Sequence, residues 1–179
     1  LVCNDNVSVS LDGDCEVEIL PDNILEGDQL DYDLFTVDIM DEFGNSRGNT
    51  VTRADIDRTL MVAIRDNCSG NSCMGSITVV DKFAPRFVPV APVTVPCTFE
   101  VDSIAAPLVM DNCDTTVQTV LINETFEDFG CDGVNNIVAR ITRTYIARDN
   151  RGNTSNPSTQ IINLQKFTLA DVEFPTDFN

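Results

Sequence analysis

The stretch "IRDNCSGNSC", Ile64 to Cys73, returns about eighty residues later as "ARDNRGNTSN", Ala147 to Asn156. Asp66, Asn67, Gly70, Asn71, Ile77, Lys82 and Phe83 fall opposite Asp149, Asn150, Gly152, Asn153, Ile161, Lys166 and Phe167, at offsets of 82 to 84 residues. In each copy a long strand of period two runs into an acidic Gly-Asn turn. A second strand then leaves and ends in Lys-Phe. Gly supplies positive φ, and Asn and Asp tolerate it or bond their own backbone. The pattern is the last hairpin of a β-sandwich, present twice.

The rest of the chain agrees. Val7–Leu11, Cys15–Leu20, Asp33–Met40, Thr59–Asp66, Gly75–Asp81, Val93–Cys97, Val117–Phe126, Asn135–Asp149 and Thr159–Phe167 alternate apolar and polar residues. They are rich in Val, Ile and Thr, as half-buried strands are. The best short-helix candidate is Thr52–Leu60. Many short strands between turn signals predict an all-β fold of two tandem immunoglobulin-like β-sandwiches. The Pro-rich stretch "VVDKFAPRFVPVAPVTVP" bridges them, since proline stiffens a linker and cannot donate to a ladder. The expected boundaries are 1–84, 85–167 and a tail or linker, 168–179. Phe174 and Phe178 mark that tail as a place to look for self-assembly.

The 179 residues include 11 basic and 29 acidic ones, a net charge of −18, and no His. Such a charge disfavours nucleic acid, which needs clustered Lys and Arg, and an anionic membrane surface. The lack of His excludes Ser-His-Asp and Cys-His nucleophiles and His-ligated zinc. No apolar run is long enough for a membrane-spanning helix. Seven Cys point to an oxidising compartment. Cys68 and Cys73 have no second such pair to complete a four-thiolate zinc site. Carboxylate pairs suited to glycoside hydrolysis arise by chance among so many acids. The chain also lacks Trp and has two Tyr, so sugar platforms are scarce. An enzyme is not expected. Opening strand-like on Leu-Val-Cys, the chain reads as a segment of a longer protein, with any signal peptide outside it.

"LVCNDNVSVSLDGDCEVEILPDNILEG" with "GNSCMGSITVVDKFAP" resembles modules of large secreted surface and adhesin-type proteins of Bacteroidota. "MDNCD" and "ITRTYIARDNRGN" resemble the hyalin-repeat type of immunoglobulin-like domain. The resemblance implies an extracellular, cell-surface protein, exported by the type IX route, that builds adhesins or appendages. It also bears on the cysteines. The second module type usually has Cys at the place of Arg151, which implies that Cys113 has lost its partner and is a free thiol. The first type often has Cys near Leu30, which implies a re-paired bridge between Cys68 and Cys73. The expected bridges are thus Cys3–Cys15, Cys68–Cys73 and Cys97–Cys131. The alternative to the third is Cys97–Cys113, with Cys131 free.

No cofactor is required by these patterns, and calcium is the one ligand they suggest. It takes six to eight oxygens, and Asp66, Asn67, Asp81, Asp111, Asp149 and Asn150 lie in turns that a sandwich can gather at one end. No segment matches the calcium loop with its terminal Glu, and turn formation explains the same residues. "DSI" and "DTT" resemble the O-glycosylation signal of Bacteroidota, which marks Ser103 and Thr115. The expected role is a structural repeat segment of a secreted adhesin or appendage. Its partners are neighbouring domains of the same parent chain, or further copies in a filament. A segment of a multi-chain filament and a calcium-dependent carbohydrate- or protein-binding module are the alternatives.

Overall fold

The computed structural model describes residues 1–27, 31–130 and 133–166. Leu30, Cys131 and the 168–179 tail with Phe174 and Phe178 lie outside the described residues. Two compact units emerge: Leu1–Phe83 with Asn112–Thr115, and Ala84–Asp111 with Thr116–Asn179.

The first unit contains β1 (Val7–Ser10), β2 (Glu16–Glu18), β3 (Phe35–Met40), β4 (Thr50–Thr52), β5 (Thr59–Asp66) and β6 (Ser72–Val80). One sheet has the order β1-β6-β5-β3, and β2 pairs with β4 in a second. The alternation of β5 shows why. Leu60, Val62 and Ile64 are buried, while Thr59, Met61 and Arg65 face out. Val37 and Ile39 of β3 and Ile77 and Val79 of β6 join them, and Val51 comes from the second sheet. Leu11, Ile19, Ile24 and Leu25 complete this core. Each such side chain, fully buried, contributes roughly 1.5–3 kcal/mol.

Three short turns of helix, Pro21–Ile24, Tyr32–Leu34 and Arg53–Asp55, interrupt the strands. Pro21 opens Pro21–Ile24, where a missing N–H costs nothing. The expected helix at Thr52–Leu60 is a single 3-10 turn, Arg53–Asp55, because β5 begins at Thr59 and needs the residues after it. Gly75, in the middle of β6, has a different function. A Cβ there would collide with the carbonyl oxygen of Asn4, so glycine lets the N-terminal segment cross the sheet.

The second unit contains β7 (Arg86–Phe87), β8 (Val93–Pro96), β9 (Val109–Met110), β10 (Gln118–Asp128), β11 (Ile137–Arg148) and β12 (Ser158–Gln165). Its main sheet has the order β10-β11-β12-β8, and β7 pairs with β9. The two main sheets therefore share one plan. In each, the repeated hairpin (β5–β6 or β11–β12) has an antiparallel neighbour on one side and a parallel one on the other. β1 pairs with β6 at Val7 opposite Ile77, and β8 pairs with β12 at Val93 opposite Ile162. The all-β, tandem-sandwich expectation describes this structure.

Candidate functional site

The repeated Asp is a turn keystone in both copies. Asp66 Oδ1 accepts the N–H groups of Cys68 at 2.8 Å and Ser69 at 3.2 Å, and Oδ2 accepts the Ser69 hydroxyl at 2.6 Å. Asp149 Oδ1 accepts the N–H groups of Arg151 at 2.9 Å and Asn153 at 2.8 Å, while Oδ2 takes the Asn153 amide at 2.6 Å. Asp41 holds a third turn, accepting from Phe43 at 2.9 Å and Asn45 at 2.7 Å. These carboxylates replace backbone partners that the turns leave unmade.

The bonds have an electrostatic consequence. The Ser69 hydroxyl, helped by the Cys68 and Ser69 N–H groups, holds the Asp66 carboxyl below its ordinary value of 3.8. The Asn45 backbone N–H and side chain do the same for Asp41. Both groups prefer the charged form in the folded state. Their stabilisation is therefore complete above the ordinary carboxyl value and is lost as pH falls through the lowered folded values. Melting temperatures recorded from about pH 5 down to pH 2 should fall. An Asp41→Asn, Asp66→Asn double variant should show a flatter profile. Equal slopes for the two proteins would refute this role.

The expected calcium set does not assemble as a whole. Asp66 and Asn67 precede β6 and Asp81 follows it, so the nine residues of that strand lie between them. At about 3.3 Å per residue they sit at opposite ends, roughly 30 Å apart. Asn67 accepts the Thr36 hydroxyl at 2.9 Å. Asn150 is exposed, and Asp111 is half-buried in the second unit. What the first unit does bring together is Asp81, 6% exposed, and Asp114, which the sequence reading did not single out. A carboxylate oxygen of each lies within 4.8 Å of the other. Asp81 also accepts the Phe83 N–H at 3.0 Å. Two carboxylates this close offer hard oxygens to a cation. Asp114 went unnoticed because it is local in sequence to the second sandwich.

The cysteine pairing differs from expectation. The bridges are Cys3–Cys73 and Cys15–Cys113, while Cys68 and Cys97 are free and exposed. The first follows from register. β1 runs parallel to β6 with an offset of 70 residues, which brings Cys3 abreast of Cys73, 70 residues on. Cys15 cannot take Cys3, because β2 pairs with β4 and leaves β1 to the other sheet. Cys68 cannot reach across the hairpin either. Cys73 stands opposite Ile64, and Cys68 sits in the exposed turn beyond Asp66. Cys113, expected as a free thiol, is 2% exposed in the first core beside Cys15. The Arg53 guanidinium donates to the Asn112 carbonyl, and the Asn112 amide donates to the Asp12 carbonyl at 2.9 Å, so the segment is held on both sides. Cys97 follows β8 with a free thiol; the Cys15–Cys113 bridge corrects the Cys97–Cys113 pairing, and the expected partner Cys131 lies outside the described residues.

Ser103 and Thr115 are both exposed, and the Ser103 hydroxyl donates to the Glu100 carbonyl at 2.7 Å. The outward face of the first main sheet carries Met40, Met61 and Met74, three of the four methionines. An open groove of about 380 Å³ beside it is lined by Met40, Phe43, Leu60, Met61, Arg47 and Arg58. Among the described residues, no helix is long and apolar enough to cross a membrane.

No protein-family model matches the chain. No curated protein matches it either. Among solved structures it is similar to human protocadherin-24 EC1-2, at 15% identity and a TM-score of 0.39, over 90% of this chain and 95% of that one. Sidekick-1 immunoglobulin domains 1–4 are similar at 12% identity and a TM-score of 0.31, over 92% of this chain and 48% of that one. An endo-fucoidan hydrolase of glycoside hydrolase family 107 is similar at 13% identity and a TM-score of 0.31, over 92% of this chain and 28% of that one.

Proposed function

We propose that the chain is a non-catalytic structural segment of a large secreted cell-surface protein, of adhesin or appendage type. The observation that carries this reading is the pair of long-range disulfides in the first unit, with separations of 70 and 98 residues. Such bridges form and persist in oxidising compartments. Their positions suit a segment under tension. Cys15 is bonded to Cys113, so a pull along the chain bypasses the residues between them. The acidic surface keeps such a segment from sticking to itself.

Electron microscopy of the intact secreted parent tests the reading. A string one domain wide is expected. A thick, regular, multi-chain fibre would replace the stalk with a filament subunit, and a compact enzyme-like particle would end the structural reading.

A calcium-dependent version of this role is favoured by Asp81 and Asp114, whose carboxylates meet within 4.8 Å in the first unit. Calcium prefers such clusters of hard oxygens. Millimolar calcium should raise the melting temperature, and Asp114→Asn should abolish that rise. An identical melt in calcium and in chelator would exclude the ion.

A further inference from the structure

Burial in the second unit stops one strand short of the sheet edge. Phe126 of β10, Ile141 of β11 and Ile162 of β12 form one cross-strand row. Their exposures are 63%, 7% and 0%. Leu121 is 46% exposed beside Tyr145 at 6%. These β10 residues point to the side on which β11 is covered, yet nothing among the described residues covers them. Among the described residues β10 is also an edge, with β11 as its one neighbour, and it runs for 11 residues. A long strand edge with unpaired backbone groups is a template for another strand.

The sequence of β10 says what kind of strand. Its first half carries Val120, Leu121 and Ile122. Its second half carries Glu124, Glu127 and Asp128 around Phe126, and the strand holds no Lys or Arg. Arg143 takes Glu124 at 2.6 Å, but Arg140, across from Glu127, turns to Asn163 and the Phe129 ring. Glu127 and Asp128 make no ion pair among the described residues. On a chain of net charge −18 these acids discourage a second copy from pairing there. They favour a cationic partner.

We propose that β10 docks an extended segment of a different protein, added as an antiparallel fifth strand. That segment carries Lys or Arg in its first half, facing Asp128, Glu127 and Glu124, and apolar residues in its second, closing over Leu121 and its neighbours. Main-chain bonds along the edge hold the segment, and side chains select it. This surface does not depend on the stalk reading.

The probe is a fluorescent peptide, Lys-Thr-Arg-Lys-Thr-Val-Thr-Val-Ile-Val, with a control in which Glu replaces each Lys and Arg. The intact chain should bind the basic peptide at least tenfold more tightly than the control. Binding should slow hydrogen exchange across 118–128. Glu127→Lys with Asp128→Lys should lose tenfold or more. Leu121→Asp, on an already exposed position, should lose it independently. No binding at about 1 mM peptide, equal binding of both peptides, or protection outside β10 would overturn the proposal. So would a concentration-dependent dimer abolished by Leu121→Asp, which would assign the edge to a second copy.

Discussion

Replacing Cys73 with Ser under oxidising conditions is expected to lower the melting temperature of the first unit by about 8–40 °C. The bridge to Cys3 closes 70 residues of chain, and losing a native bridge of this kind typically costs about 2–5 kcal/mol. A domain of this size shifts by about 4–8 °C per kcal/mol. The effect should be local in origin. β1 is four residues long and owes its place to its pairing with β6 and to the bond just ahead of it. Cys68→Ser supplies the contrast. That thiol is exposed in a turn, and its loss should move the melt by no more than a degree or two. Calorimetry of both variants decides the matter. Equal losses would restore a bridge within the hairpin.

The second large effect belongs to a charge. Asp55 is 1% exposed, at the end of the 3-10 turn before β5. Its Oδ1 accepts Arg47 at 2.9 Å, and its Oδ2 accepts the Thr52 N–H at 3.0 Å. Arg58 stands at 3.9 Å. Asp55→Ala removes the anion, leaves the Arg47 guanidinium without its partner and orphans a backbone donor. Breaking a buried pair from one side costs about 3–5 kcal/mol. Arg47 is partly solvated, so about 3 kcal/mol and a fall of about 12–24 °C are expected. An Arg47→Met, Asp55→Leu double variant should recover much of that loss, because the orphaned charge goes with its partner. If the double variant is no better than the single one, the pair is not what holds this corner.

The hairpins β5–β6 and β11–β12 were legible because their cause is local. Period-two alternation fixes the strands, and an Asp-Asn-Gly turn fixes the reversal. Asp66 and Asp149 do in three dimensions what their sequence context says. The bridges were not legible because their cause is non-local. Nothing near Cys3 shows that β1 will lie parallel to a strand 70 residues away, and a neighbouring Cys15 looks like the natural partner until β2 is seen to pair with β4. Cys113 misleads in the same way. It is surrounded in sequence by second-unit residues and buried in the first unit. The scattered calcium set fails on strand length alone, since β6 separates Asp66 from Asp81. The uncovered β10 could not be read at all. Its alternation is that of an ordinary strand, and what distinguishes it is that no described residue covers one side.

One covalent path resists a pull along the chain. From the N-terminus the shortest route along the oxidised chain leaves at Cys15 and re-enters at Cys113, which hides 98 residues from any pull between the ends. Single-molecule extension of the chain, held at its two termini, measures that hidden length directly. Adding a reductant should lengthen the fully stretched molecule by about 330 Å, at roughly 3.4 Å per released residue. Equal stretched lengths in the oxidised and reduced states would contradict the account.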